Sequence, residues 1–473
     1  MTNSSGGATG PASNTAGTTR DLWPAPHAVA PVDARLEVPG SKSLTNRYLI
    51  LAALADGPSV LRSPLHSRDS ALMGAALRSL GATVTELPGT DGYGPDLRIE
   101  PLPTTSSSPS PTLPSPPRHV DCGLAGTVMR FVPPLAALLA GPTSFDGDPH
   151  ARRRPMGAII EALRALGIRV DDDGGGSLPF TVQGTRDVAG GHLIIDAAAS
   201  SQFVSALLLV GARFTHGLHL EHVGKPVPSL DHVAMTVQVL RSVGVAVDDS
   251  VPNHWFVPPG PIAAFDVRVE PDLSNAGPFL AAALVTRGTV SIANWPSRTT
   301  QVGDQWRDIL ARMGAIVELV DGTLSVTGGP VIRGGHFADT SELAPTVAAL
   351  CALADSPSTL TGIAHLRGHE TDRLAALVTE INALGGDAQE TADGLIITPA
   401  ALHGGAFATY DDHRMATAGA ILGLAVNGVD VENIGTTAKT MPEFPDLWLR
   451  LAATGTAGTA EAPATTAGAT ERV

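Results

Sequence analysis

Lys42 sits between two serines in PGSKSLTNR (39–47), behind a proline-glycine turn and ahead of the apolar run Tyr48-Leu49-Ile50-Leu51-Ala52-Ala53-Leu54. The stretch has the look of a phosphate loop opening a helix, but a nucleotide loop needs glycine just before the lysine, and Ser41 stands there. Comparable polar starts precede other apolar runs: Gly126-Thr127 with Arg130, Ser200-Ser201-Gln202, Ser274-Asn275, Ser341-Glu342 and Asp412-His413-Arg414. Each is a candidate helix N-terminus, where free N–H groups and the macrodipole favour an anion. Serine and aspartate there are also ordinary N-caps. Lys42, Arg130 and Arg414 are not explained by capping, because a cation is disfavoured at that end unless an external anion compensates.

Lysine usage points the same way. Of 31 Lys and Arg residues only Lys42, Lys225 and Lys439 are lysine, so positive charge is otherwise written as arginine. An ammonium approaches a phosphate or carboxylate as a compact point charge and shifts its pKa in ways a guanidinium does not. Lys439 lies in TTAKTMPEF; Lys225, in GKPVPS, has weaker company and could equally be solvated. Glu342 and Glu370, each taken alone, could be simply an acidic first turn of a helix. A formal charge of −15 and 4% aromatic residues argue against nucleic-acid binding, so any anion site is local. No run of about 18 apolar residues suggests a membrane span. Two distant cysteines, Cys122 and Cys351, suit a reducing compartment, and a cytoplasmic location is expected.

Positioning these residues requires a repeated scaffold. LRSLGATV, LRALGIRV, LRSVGVAV, LARMGAIV, INALGGDA and a degenerate LAATG place Gly81, Gly167, Gly244, Gly314, Gly385 and Gly455 roughly 70–86 residues apart. Each glycine falls where a left-handed C-cap is wanted, after an amphipathic helix such as that carrying Met156, Ile159, Ile160 and Leu163. An earlier, almost wholly apolar helix belongs to each unit, several ending near glycines such as Gly57, Gly141 and Gly288. The expected fold is α/β, with two domains of three βαβαββ-like units each. Residues 21–40 plus 266–453 form one domain and 41–265 the other. The Gly/Ala/Ser/Thr/Pro-rich tails 1–20 and 454–473, and the Pro/Ser-rich insertion 103–117, are expected to be unstructured.

Taken in order, PGSKSLTNR, DCGLAGTVMRF (121–131), the RRRP ending at Pro155, SSQF (200–203), HETDRL (369–374), DDHRMA (411–416) and AKTMPEFPDLW (438–448) resemble the 5-enolpyruvylshikimate-3-phosphate synthase family over roughly residues 30 to 450. The resemblance implies an inside-out α/β architecture with substrates between the domains. It also implies transfer of the enolpyruvyl group of phosphoenolpyruvate to the 5-hydroxyl of shikimate 3-phosphate, through a tetrahedral adduct, in aromatic amino acid biosynthesis. Lys42, Ser43, Arg47, Ser200, Ser201, Gln202, Ser229, Glu342 and His369 match shikimate 3-phosphate contacts, with Ser43 and Arg47 on the phosphate ester. Lys42, Gly126, Arg154, Gln202, Arg373, Arg414 and Lys439 match phosphoenolpyruvate contacts. Glu342 matches the base on the 5-hydroxyl and Glu370 the acid at the methylene carbon, with Lys42 beside them as a third catalytic group. The resemblance implies no metal or cofactor, and a monomer is expected.

Three positions depart from the family pattern. Leu124 stands where asparagine is common, His369 replaces a lysine and would weaken phosphate binding as pH rises if it must be charged, and Glu342 replaces an aspartate. The sister transferase acting on UDP-N-acetylglucosamine is a rival reading, but its lysine-asparagine pair is absent here, as is its cysteine-bearing loop. A catalytically dead binding module is the other rival, and the intact charged set argues against it.

Overall fold

Helices and short sheets alternate in a computed structural model that describes residues 21–103 and 117–455. Of the segments expected to be unstructured, 1–20, 104–116 and 456–473 lie outside the described residues, while Thr454 ends a helix rather than opening a tail. Helices come in pairs: α1 Lys42–Leu54 with α2 Arg68–Leu80, α3 Gly126–Ala137 with α4 Gly157–Ala165, and α5 Ser201–Gly211 with α6 Asp231–Ser242. The second series is α7 Leu273–Thr286 with α8 Trp306–Arg312, α9 Ala344–Ala352 with α10 Arg373–Ala383, and α11 His413–Ala425 with α12 Phe444–Thr454.

The first member of each pair is apolar on nearly every side and sits inside. Phe203 through Val210 of α5 are all buried, and α3 packs on α5 as α11 packs on α7 and α9. The second member buries one stripe; Ile159, Ile160 and Leu163 of α4 have no exposed surface. Five of the repeat glycines adopt positive φ between 83° and 109°, as their place after a helix requires. The sixth does not: Gly455 has φ −79° and instead allows a close approach, since a Cβ there would lie 2.6 Å from the Ala30 carbonyl oxygen. Likewise Arg287, not Gly288, closes α7 in the left-handed region.

Six sheets cover the outside. In each, a parallel pair is followed by an antiparallel neighbour, as where Gly141–Asp146 lies parallel to Arg118–Asp121 and antiparallel to Phe180–Gly184. The hydrophobic residues separate into two clusters. One runs from Leu44 to Val269 (the amino lobe), the other takes Val32, Val38 and Leu273 to Ala452 (the carboxy lobe).

Two strands sit in the opposite lobe from the helix they lead into. Asp33–Leu36 feeds α1 but pairs with Thr289–Ile292 of the carboxy lobe, and Asp266–Arg268 feeds α7 but pairs with Ser59–Arg62 of the amino lobe. The second pairing corrects the expected boundary at 265/266, because the chain crosses a few residues later. At the crossing the two connections run side by side: Ser41 N–H donates to the Glu270 carbonyl at 2.8 Å, and Asp272 N–H to the Pro39 carbonyl at 2.8 Å. Gly40 is required there, since a Cβ would lie 2.3 Å from the Ser63 carbonyl oxygen.

Candidate active site

All six inner helices aim their N-termini at one cavity of about 340 Å³ between the lobes. Ser41, Lys42 and Ser43 of α1, Gly126 and Thr127 of α3, Ser200 and Gln202 of α5, and Ser274 of α7 line it, together with Glu342 ahead of α9 and His413 and Arg414 of α11. Partial positive charge from six helix ends therefore converges on one volume, an environment that favours anions. The caps are made by the expected residue types: Ser41 accepts from Leu44 N–H, Ser200 from Gln202 N–H at 3.2 Å and Asp412 from Arg414 N–H at 2.8 Å. Asp272 caps α7 and also accepts from Lys42 N–H at 3.0 Å, tying the starts of α1 and α7 together.

Cations crowd the same volume. Lys42 Nζ lies 3.9 Å from Asp69, and burial lowers its pKa while Asp69 opposes the shift. Arg130 and Arg154 flank Gly126, where a Cβ would fall 2.8 Å from an Arg130 nitrogen and 3.3 Å from an Arg154 nitrogen. Glycine thus leaves the space in front of both guanidiniums clear. Each of these arginines keeps a buried Nε without a hydrogen-bond partner, and burial lowers the Arg130 pKa to about 9. Such orphaned donors fit an oxyanion ligand.

Arg373 is held by Asp412 through Nε at 2.7 Å and by Glu370 at 3.0 Å, and its third nitrogen faces His369 Nδ1 at 3.1 Å. Arg414 donates to the Ser274 carbonyl at 3.0 Å, while Lys439 donates to Glu370 Oε1. Burial raises the Glu370 carboxyl, but Lys439, Arg373 and Arg154 outweigh it and hold it well below the usual carboxylate range. Glu342 accepts from Ser341 Oγ at 2.9 Å and Ser274 Oγ at 3.3 Å, with His232 Nε2 at 3.3 Å. Its carboxyl too is pushed up by burial and pulled down further by His232 and Arg414.

Most of the expected residues meet here, with differences. Lys42, Ser43, Arg47, Gly126, Arg154, Ser200, Gln202, Glu342, His369, Glu370, Arg373 and Arg414 line the cavity. Lys439 reaches it through Glu370. Ser201 is buried in the first turn of α5 and Ser229 bonds across the lobes to Ser341 Oγ at 2.7 Å, so neither forms the wall. Arg47 spends its donors on the protein: Thr236 Oγ1 at 2.7 Å, the His232 carbonyl at 2.8 Å and the Ser43 carbonyl at 2.9 Å. It anchors α1 to α6. Lys225 is exposed and off the cavity. His369 does not need charge to rationalise its place, because burial and Arg373 hold its pKa well below that of a free imidazole.

His232 and His365 also line the cavity and carried no usable sequence signal. A lone histidine at the head of an amphipathic helix reads as solvated until the opposite lobe is known.

A cleft between two three-unit lobes, with two carboxylates among buried arginines and lysines at six helix N-termini, defines an enzyme for small phosphorylated and carboxylated substrates. A family model described as EPSP synthase (3-phosphoshikimate 1-carboxyvinyltransferase) matches residues 26–448. A Kocuria rhizophila protein named 3-phosphoshikimate 1-carboxyvinyltransferase is 61% identical over 436 residues, covering 91% of this chain and 96% of that one. A Mycobacterium ulcerans protein of the same name is 53% identical over 437 residues, covering 91% and 97%. An EPSP synthase structure from Acinetobacter baumannii superposes with a TM-score of 0.72 at 24% identity, covering 91% of this chain and 98% of that one, which supports the fold. The chain belongs to the EPSP synthase family.

Proposed function

We propose that the cavity between the lobes is where this chain carries out its family's reaction, with Glu342, Glu370 and Lys42 as its catalytic groups. The reaction transfers the enolpyruvyl group of phosphoenolpyruvate to the 5-hydroxyl of shikimate 3-phosphate and releases phosphate, a step of aromatic amino acid biosynthesis. The observation that carries the site assignment is the grouping of two half-buried carboxylates with Lys42, Arg154, Arg373, Arg414 and Lys439 at converging helix N-termini.

In the addition step Glu342 takes the hydroxyl proton as the oxygen bonds to C2 of phosphoenolpyruvate, and Glu370 gives a proton to C3. The tetrahedral adduct then loses a methyl proton and expels phosphate, which restores the alkene. Buried guanidiniums and helix dipoles stabilise the charge on the carboxylate and the leaving phosphate. In our reading Arg154, Gly126, Gln202, Arg373, Arg414 and Lys439 hold phosphoenolpyruvate. Ser43, Ser200 and His369 hold shikimate 3-phosphate, with Ser201 and Ser229 just behind that wall as supports, Lys42 contacts both substrates, and Arg47 acts through the helix it anchors.

The hydrophobic clusters support a domain division of 41–269 against 21–40 plus 270–455. We further place the enzyme in the cytoplasm as a monomer, a reading that two buried free cysteines suit. Among the described residues no helix is long and apolar enough to cross a membrane. Phosphate release measured with shikimate 3-phosphate against UDP-N-acetylglucosamine as acceptor tests the function. Turnover with the first alone is expected, and turnover with neither, or only with the second, would overturn it.

A further inference from the structure

His232 opens α6 in the amino lobe, yet its Nε2 faces a carboxylate of the carboxy lobe, 3.3 Å from Glu342 Oε2. The other two partners of that carboxylate, Ser341 and Ser274, belong to its own lobe. Among the described residues, His232 is therefore the one side chain that fixes Glu342 from across the cleft. We propose that His232 is a positioning residue for Glu342, so that the two act as one unit assembled only when the lobes meet. This deepens the reading of Glu342 as the base and rests on it.

Three further observations support the pairing. First, the His232 carbonyl is clamped by Arg47 at 2.8 Å, Thr236 Oγ1 at 2.9 Å and Ser205 Oγ at 3.3 Å, so the residue cannot drift with its helix end. That gives Arg47 a task consistent with its fully engaged donors. Second, the backbone departs from ordinary conformations on both sides of the contact: Ser229 has φ 51°, while Asp339 and Ser341 have φ 54° and 47°. Left-handed non-glycine residues are costly and persist where the surroundings over-determine them; here they join at the 2.7 Å contact between the Ser229 and Ser341 hydroxyls. Third, the carboxylate is shared between the lobes: Oε1 accepts from Ser274 Oγ at 3.3 Å while Oε2 faces His232 Nε2 at 3.3 Å.

The charged environment of His232 is mixed. Asp231 lies on its own helix, Glu342 comes from the facing segment, His365 from the 364–368 turn and Arg47 from α1; Asp339 and Arg373 act on Asp231 and His365 in turn. His232 Nδ1 has no hydrogen-bond partner among the described residues, so the ring is oriented by the Glu342 contact and its clamped backbone.

The test compares His232→Ala, His232→Gln, Glu342→Gln and the double variant His232→Ala/Glu342→Gln in the phosphate-release assay, with the pH profile of kcat. Glutamine can present an N–H near the position of Nε2. We expect His232→Ala to lower kcat by about 30- to 100-fold with KM changing less than about fivefold. His232→Gln should recover most of that loss and move the acid limb of the profile upward, because His232 is foremost among the groups that pull the Glu342 carboxyl down. In the double variant, loss of His232 should add less than about threefold to the effect of Glu342→Gln, because partners that act as a unit are not additive. A His232→Ala kcat within threefold of the parent, or full additivity in the double variant, overturns the positioning role while leaving the base assignment standing. A Glu342→Gln variant with parental kcat overturns the base assignment instead. Thermal midpoints separate both from misfolding, and if His232→Ala does not fold, the pH profile of His232→Gln decides: an unmoved acid limb refutes the proposal.

Discussion

Replacing Glu370 with glutamine is the sharpest perturbation of the proposed chemistry, because the structure sets an obstacle that the reaction must overcome. Glu370 gives one oxygen to Lys439 and the other to Arg373, and these cations hold its carboxyl well below the usual range against the upward push of burial. Such a group is ionised at neutral pH and has no proton to give. Phosphoenolpyruvate brings negative charge to the same cations. A unit charge at about 4 Å with an effective dielectric near 20 is worth about 4 kcal/mol, or roughly a thousandfold in a protonation equilibrium. Arrival of substrate can therefore raise the carboxyl that Lys439, Arg373 and Arg154 otherwise hold ionised. Glutamine preserves shape and one carbonyl acceptor but carries no transferable proton, so kcat should fall by about 10²- to 10⁴-fold. Affinity for phosphoenolpyruvate should hold or tighten, since one negative charge beside Lys439 and Arg373 has gone. Steady-state phosphate release gives kcat and KM, and calorimetry gives shikimate 3-phosphate affinity on the same preparation. A kcat within threefold of the parent, with intact binding, would refute the acid assignment and leave Glu370 as an ion-pair anchor.

Gly126→Ala should raise KM for phosphoenolpyruvate by about 10-fold or more with a smaller change for the acceptor, because its Cβ intrudes between Arg130 and Arg154; equal changes in both constants would contradict that placement. Glu342 and Glu370 have folded-state pKa values below the unfolded ones, so their contribution to stability is present above about pH 4.3 and is lost as pH falls through the folded values. The thermal midpoint should accordingly drop on acidification, and less steeply in Glu342→Gln; parallel curves would count against the linkage. His369 is held neutral by burial and Arg373, so shikimate 3-phosphate affinity measured by calorimetry should be flat between pH 7 and 8, and a progressive weakening over that range would restore the charged-imidazole reading.

The six-unit plan was legible because two kinds of helix leave different marks. Continuous apolarity in Phe203 to Leu209 betrays a helix buried on all sides, and Ile159, Ile160 and Leu163 betray one that is half exposed. The lobe boundary was less legible. Asp266–Arg268 is a three-residue strand with no composition of its own, and strand-before-helix order assigns it to α7 when its hydrogen bonds go to Ser59–Arg62. Pairing across some 200 residues has no local signature. The cationic side of the site could be read from lysines and arginines that capping does not explain, whereas His232 and His365 could not, since their meaning depends on a partner lobe. Arg47 lines the cavity as its motif suggests, but its hydrogen bonds to Thr236, Ser43 and His232 could not be read from that motif, because two of the partners lie some 185 residues away.

Placing the most apolar helices at the centre and the sheets outside has a chemical consequence. An inner helix end cannot be hydrated as a surface end is, so its free N–H groups need a partner, and six such ends meeting at one cavity make that partner an anion. The same enclosure lets Arg373 and Arg414 remain almost fully buried, because Asp412, Glu370 and the Ser274 carbonyl occupy part of their donors while burial strips away competing water. It also explains why the two carboxylates proposed as acid and base come from one lobe yet face groups of the other. Glu342 and Glu370 precede α9 and α10 of the carboxy lobe, while Lys42, Gly126, Arg154 and His232 come from the amino lobe. Within the carboxy lobe Arg373 and Lys439 are balanced by Glu370 and Asp412, whereas Arg130 of the amino lobe is opposed by Arg154 and supported by Glu370 of the other lobe, so its charge is compensated only where the two faces meet.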